Sequence, residues 1–256
     1  MNRSLHAIIL AAGKGTRMKS DLPKVVHPVG GRPMVCAVVD ACHAAGCARI
    51  VAIVGYKQET VCEALASYGP RVEYAIQEEQ LGTGHAVQMA SPMLGGDRAS
   101  DCLVLCGDGP LIRSTTLEKV LDRHRSTHAS ATLATAVIED PTGYGRIVRD
   151  THGRFESIVE QKNATPEQLK VREINPSYYC FHTGDLFDSL RKLNRNALTG
   201  EYYLTDVPAL LLASGKRVEV IEAVPPEDVL SINTLDDLAV VDRLFRARTG
   251  TTGGTP

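Results

Sequence analysis

A three-layer α/β fold with a mainly parallel sheet is the architecture this sequence predicts, on three observations. Apolar runs of strand length alternate with helix-patterned segments between residues 5 and 128. Those runs are apolar at successive positions, as in strands covered on both faces. The order is repeatedly strand then helix, the order of right-handed crossover units, which brings the C-terminal ends of the strands to one edge. Ligands of such sheets bind at that edge, where the strand order switches.

The elements follow in turn. "HAIILAA" precedes a helix pattern over Met34–Ala45, and "RIVAIVG" precedes one over Glu59–Tyr68. "VEYAIQ" leads into a helical "GHAVQMASPML", and "DCLVLCGD" into "STTLEKVLDRHRSTH". After "ATLATAVIED" the texture changes. Residues 141–182 carry short alternating runs, "YGRIVRD" and "FESIVEQK", which read as a small hairpin insertion. The earlier style returns with a helical "EYYLTDVPALLLASG" and a strand "RVEVIEAV". Asn233 and Thr234 cap an expected last helix, Leu235–Arg248. The segment 249–256 is small and breaker-rich, and is expected to be disordered. One domain over 1–248 accommodates these elements, and no repeat period appears, a six-residue β-helix repeat included.

Composition narrows the function classes. With 43% apolar and 23% charged residues the chain has an ordinary globular balance. A net charge of −2 disfavours non-specific nucleic-acid binding. Ile8–Leu10 pass directly into Ala-Ala-Gly-Lys, unlike a secretory leader, and no apolar run approaches the ~20 residues that span a bilayer. A soluble, cytoplasmic chain without a membrane partner is expected. Seven cysteines without a C-x-x-C pair read as reduced packing residues. His124 and His128, four residues apart with charged neighbours, read as a solvated helix face rather than a zinc site. Nothing in the sequence signals an oligomeric state.

The chemistry gathers at Gly13-Lys14-Gly15-Thr16-Arg17-Met18, directly after the first strand. Met18 replaces the third glycine of a dinucleotide fingerprint, which disfavours a dinucleotide-dependent oxidoreductase, and the spacing is not that of a Walker A loop. Glycines let successive N–H groups turn toward an anion, Arg17 adds a fork of donors, and Lys14 a mobile charge. Phosphate binding follows. Lys24 stands seven residues beyond Arg17, in a stretch stiffened by Pro23, Pro28 and Pro33. Asp108 ends an apolar run, a place where a carboxylate needs a partner or a metal.

"LAAGKGTRM…DLPKVVHPVGGRPM" resembles the L-x-x-G-x-G-T-R-x…P-K signature of sugar-1-phosphate nucleotidyltransferases. "EEQLGTGHAV", "CGDGPL", "DPTGYGRIV", "IVEQKNAT", "EIN" and "GEYYLTD" follow in the order found in N-acetylglucosamine-1-phosphate uridylyltransferases, specifically the N-terminal domain of the bifunctional bacterial enzyme. The resemblance spans about residues 5–245 and implies the Rossmann-like nucleotide-diphospho-sugar transferase fold, with the 141–182 hairpin on the sugar side. That family continues into a hexapeptide-repeat acetyltransferase domain, and acetyl transfer is not expected of this chain.

The implied reaction joins UTP and a sugar-1-phosphate, releasing pyrophosphate. By the resemblance, Arg17 meets the β- and γ-phosphates and Lys24 the α-phosphate and the sugar phosphate. Leu10, Ala11, Ala12, Gly13, Gly15 and Thr16 line the nucleotide. Asp108 and Asn233 are the implied protein ligands of a Mg²⁺ ion, which favours such hard oxygens. Gln77, with Gly82 and Thr83, reads the base; a flipped glutamine amide suits cytosine as well as uracil, so the resemblance rather than the chemistry favours UTP. Gly145, Glu160 and Asn175 match the sugar side, where Glu160 has an alternative as an exposed ion pair with Lys162. Two departures stand out: Pro176-Ser177 replace a Thr-Gly pair beside the sugar pocket, and Gly109 replaces an apolar residue. Glucose- or N-acetylgalactosamine-1-phosphate is the alternative substrate, and a non-catalytic nucleotide-sugar sensor the alternative class.

Overall fold

The computed structural model of the chain describes residues 3–250. The apolar run Leu5–Leu10 forms strand β1, whose side chains divide between two layers: Ala7 and Ile9 pack into one core and Ile8 into the other. Pleating sends successive side chains to opposite faces, so a strand apolar throughout has to be covered twice. A separate two-stranded ribbon, β2 (Pro28–Val29) and β3 (Arg32–Pro33), leads into helix α1 (Met34–Ala44). Then come β4 (Arg49–Val54), α2 (Gln58–Leu65), β5 (Val72–Ile76), α3 (Thr83–Gln88), α4 (Ser91–Leu94), β6 (Asp101–Cys106), α5 (Ser114–Thr127) and β7 (Ala131–Val137). The second half adds β8 (Gly145–Arg149), β9 (Phe155–Val159), α6 (Pro166–Leu169), β10 (Glu173–His182), α7 (Thr183–Leu190), α8 (Val207–Ala213), β11 (Val218–Glu222) and α9 (Leu235–Thr249).

The main sheet runs β11-β7-β10-β6-β1-β4-β5, and β10 is antiparallel to both its neighbours β6 and β7 while the other pairs along this path are parallel. The chain leaves β1 for β4 and β5 on one side and then crosses to β6 on the other. The switch point therefore lies between β1 and β6, and the loops after Leu10 and Cys106 face it. Among the described residues no helix is long and apolar enough to cross a membrane.

Several elements differ from the sequence reading. The hairpin at 141–182 consists of β8, β9 and only the start of β10, where Ile174 and Asn175 pair with Arg146 and Gly145. After an irregularity between Ile174 and Tyr178, β10 enters the main sheet. Residues 84–94 form two helices rather than one, because Pro92 has no N–H to continue the ladder and sits in the first turn of α4. The helix after 201 starts only at Val207; Tyr202 is spent instead on the 81–84 loop, donating to Leu81 O and accepting from Gly84 N, each at 2.8 Å. α9 runs to Thr249 with Gly250 as a left-handed cap, so 249 and 250 are structured, and the rest of the expected tail lies outside the described residues.

His124 corrects another expectation. It is fully buried on α5, with Nδ1 3.1 Å from Thr132 Oγ1 and Nε2 3.5 Å from Asp101 Oδ1; His128, at the helix end, is exposed. Thr116, Leu117, Val120, Leu121 and His124 form the buried stripe of that helix. The seven cysteines are free thiols. α9 closes the structure over a small third core with Met18, Val29, Met34, Leu111, Ile232 and Val241. Asp242 Oδ1 accepts from Gly30 N at 2.7 Å, and Arg248 donates to Leu111 O at 2.7 Å. The last helix thereby anchors the segments that flank the switch point.

Candidate active site

Past β1 the chain keeps to the sheet for two residues and then leaves it. Ala11 N donates to Ile53 O at 2.9 Å, and Ala12 O accepts from Tyr56 N at 3.1 Å. Gly13 is exposed, and Gly15 takes φ +67°, which turns the loop into a short 3-10 helix, Thr16–Met18, pinned by the buried Met18. A side chain at Gly15 would stand 2.6 Å from Lys24 Cβ, so the glycine is what lets the loop and Lys24 approach each other.

Four of the expected residues converge there. Lys24 Nζ lies 2.5 Å from Asp108 Oδ2 and donates to Asn233 Oδ1 at 2.8 Å. Arg17 Nη2 donates to the same Asn233 oxygen at 2.7 Å. They come from three distant segments, and the Ile232 N–H to Asp108 O bond at 3.3 Å joins two of these. Thr234, with Asp237 in a reciprocal capping box, caps α9. That leaves the Asn233 side chain to face the two cations, with its Nδ2 3.3 Å from Ser231 Oγ. Two cations against one carboxylate and a neutral amide give this spot a net positive charge, suited to phosphate. The neighbouring Cys106 thiol is pushed up to about 12, mainly by burial and then by the Asp108 charge, and so stays protonated.

Of the residues expected to read the base, Gln77 lines a cavity of about 530 Å³ between the ends of β4 and β5, bordered also by Lys14, Tyr56, Ile76 and Gln80. Gln77 is buried; its Nε2 donates to Gly82 O at 3.1 Å and lies 3.1 Å from His85 Nδ1. Gly82 has φ +97°, and a side chain there would meet Tyr202 O at 2.6 Å. Thr83 Oγ1 accepts from Leu204 N at 3.0 Å. The sequence reading missed Gln80, whose Nε2 reaches Ala12 O at 2.6 Å. Its signal was the second glutamine of "QEEQLGTG".

The residues expected on the sugar side meet on the hairpin. A Cβ on Gly145 would lie 3.7 Å from Glu160 Oε2 and 3.8 Å from Asn175 Cβ. Asn175 Nδ2 donates to the Tyr179 hydroxyl at 2.6 Å and its Oδ1 accepts from Ser177 N at 3.2 Å. Glu160 accepts from Thr205 Oγ1 at 3.0 Å, so its hydrogen-bond partner is Thr205, a second residue missed in sequence, and not Lys162. Burial, seconded by Asp206 and Glu201, raises its pKa above the ordinary glutamate value. Glu160 borders a small cavity of about 40 Å³ with Leu10, Thr83, Cys106, Ser177 and Tyr179. Leu10 and Thr83, expected at the nucleotide, thereby border the same cavity as Glu160, expected at the sugar.

Known proteins match this chain closely. A family profile described as nucleotidyl transferase matches residues 6–224. The bifunctional protein GlmU of Exiguobacterium sibiricum is 48% identical over 243 residues, covering 95% of this chain and 53% of that protein. The bifunctional GlmU proteins of Enterococcus faecalis and Geobacter metallireducens are each 46% identical over 95% of this chain, and 52% and 51% of theirs. The chain spans about half the length of the curated relatives it matches. A solved structure from Bacillus anthracis, provisionally assigned as a glucose-1-phosphate thymidylyltransferase and bound to sucrose, shares the fold with TM-score 0.79 at 19% identity, over 99% of this chain and 98% of its own.

Proposed function

The chain belongs to the nucleotidyl transferase family, and from that premise we propose that it is a Mg²⁺-dependent uridylyltransferase, joining UTP and N-acetylglucosamine-1-phosphate into UDP-N-acetylglucosamine and pyrophosphate. The carrying observation is the meeting of Arg17, Lys24, Asp108 and Asn233 at the β1–β6 switch point, beside the glycine loop. The 46–48% identity to bifunctional GlmU proteins supports the choice of substrates.

The nucleophile is a phosphate oxygen of the sugar phosphate, largely dianionic at neutral pH because its second pKa is about 6. No general base is then needed, and the site offers no thiolate to compete. A bond forms from that oxygen to the α-phosphorus, the bond from the α-phosphorus to the α,β-bridging oxygen breaks, and pyrophosphate leaves with the electron pair. Alignment and charge neutralisation are what the protein supplies. Lys24 serves the α-phosphate and the incoming sugar phosphate, Arg17 the departing β- and γ-phosphates, and the N–H groups of Gly13–Thr16 the remaining oxygens.

Asp108 and Asn233 suit a hard divalent cation, since an oxygen of each already converges on one cation, the Lys24 ammonium, at 2.5 and 2.8 Å. Mg²⁺ held by them supplies charge neutralisation on the phosphate oxygens. Gln77 and Gln80 serve the base, and Gly145, Glu160 and Asn175 the sugar. UTP is a cytoplasmic metabolite, and the reading carries that location with it.

Pyrophosphate release with Mg²⁺ and UTP tests the reading, with N-acetylglucosamine-, N-acetylgalactosamine- and glucose-1-phosphate offered in parallel. Fastest release with the first, abolished in Asp108→Ala, is expected. Silence with all three alongside measurable UDP-sugar binding would replace the enzyme with a sensor.

A further inference from the structure

Among the described residues four other than glycine adopt the left-handed backbone: Lys19, Lys57, His128 and Ser177. Three have a local reason. Lys19 and His128 end helical turns and Lys57 begins α2, positions where the chain reverses in the open. Ser177 has none of these excuses. It lies within β10 at φ +65°, directly after Pro176, in the irregularity between Ile174 and Tyr178. Residues with a Cβ resist this conformation, and strain of this kind persists where the surroundings over-determine it, often at ligand sites.

Those surroundings are specific. Asn175 Oδ1 accepts from Ser177 N at 3.2 Å, and Asn175 is held in turn by the Tyr179 hydroxyl at 2.6 Å. The Ser177 side chain then lines the 40 Å³ cavity, beside the Cys106 thiol and the Tyr179 hydroxyl, in the same wall system as Glu160. A space of that size suits a small substituent rather than a whole ring, being only a few times the ~10–15 Å³ that one water needs. A hydroxymethyl group added to or removed from its wall is therefore a large relative change. Serine also brings a rotatable donor and acceptor, which can pair with either a hydroxyl or an amide substituent.

We infer that Ser177 is a specificity-determining residue of the sugar side: its hydroxyl hydrogen-bonds one ring substituent of the incoming sugar phosphate, and its Cβ limits what else can enter. This rests on the sugar-phosphate reading above. Ser177→Ala keeps the Cβ and removes the hydroxyl; Ser177→Gly removes both and suits the left-handed backbone.

The experiment measures kcat and KM for the same three sugar phosphates with UTP, and the Tm of each variant. In Ser177→Ala the ratio of kcat/KM values between the sugars shifts about tenfold, the scale of one buried hydrogen bond. In Ser177→Gly it shifts further, the KM for UTP stays within about twofold, and Tm is no lower than in the wild type. Unchanged ratios in both variants overturn the inference alone. So does a parallel loss with every sugar and with UTP, accompanied by a fallen Tm, which marks a purely structural serine. A wild-type protein that releases no pyrophosphate with any of the three overturns the uridylyltransferase reading, and this inference with it.

Discussion

A methyl group on Gly15 would stand 2.6 Å from Lys24 Cβ and 3.2 Å from its Cγ and Cδ. Carbon atoms in ordinary contact lie about 3.5–4.0 Å apart, so Gly15→Ala overlaps Lys24 by about 1 Å, at the root of the side chain rather than its tip. Lys24 cannot easily yield. It opens a 3-10 turn between Pro23 and His27, with the buried Val25 next to it, and His27 N donates back to Lys24 O at 3.3 Å. Overpacking of this kind costs about 1–3 kcal/mol, and alanine at φ +67° a further 1–2 kcal/mol or so. At about 2–4 °C per kcal/mol for a chain of this size, Tm falls by roughly 4–20 °C. The ammonium now 2.5 Å from Asp108 and 2.8 Å from Asn233 moves by a comparable ångström. Misplacement on that scale lowers turnover about 10²-fold. Thermal melting and pyrophosphate release, run on one preparation, read both effects. Gly13→Ala controls for the fold, because a Cβ there meets nothing within 4 Å and the backbone is not left-handed, so its Tm stays at the wild-type value. A Gly15→Ala protein with wild-type Tm and wild-type kcat would refute the reasoning.

Asn233→Ala removes the acceptor shared by Arg17 and Lys24; kcat falls about 30-fold or more while Tm barely moves, because the Thr234–Asp237 cap is untouched, and steady-state kinetics beside a melt checks it. Thr205→Val leaves Glu160 without its donor, so KM for the sugar phosphate rises about tenfold while KM for UTP holds, and Thr205→Ser restores the sugar-phosphate KM. Asp101→Asn breaks a fully buried carboxylate's pairing with Arg125, 2.7 Å away, and costs about 3 kcal/mol at pH 7 in denaturant unfolding. Burial pushes the Asp101 pKa upward, yet the nearby His124 ring and the hydrogen bond and charge of Arg125 hold it at about 2. A depressed carboxylate stabilises the fold above its unfolded pKa, about 4, and ceases to as pH falls through about 2; the gap between wild type and variant should close over that window, and a gap independent of pH would contradict the assignment.

The parallel strands were legible because β1, β4, β6 and β7 are apolar on both faces, a pattern that few other structures produce. β10 was not, since its pairing with β6 and β7 depends on partners 36 to 81 positions away, and the proline and polar residues at its start resemble a hairpin edge. Arg17, Lys24, Asp108 and Asn233 were legible as motif residues at element ends, where parallel sheets collect ligands. Gln80 and Thr205 were not, because each acts through one hydrogen bond across 68 or 45 positions of chain. His124 was not legible as a core residue from its spacing to His128; its spacing to Leu117, Val120 and Leu121 sets the face it shares.

Attack at the α-phosphorus is tested most directly by UTP labelled with different isotopes at its α- and γ-phosphates. With N-acetylglucosamine-1-phosphate and Mg²⁺, the α-label should appear wholly in UDP-N-acetylglucosamine and the γ-label wholly in pyrophosphate, in equal amounts and with neither product formed by Asp108→Ala. Release of the γ-label as inorganic phosphate, or a labelled pyrophosphate without a labelled nucleotide sugar, would contradict it.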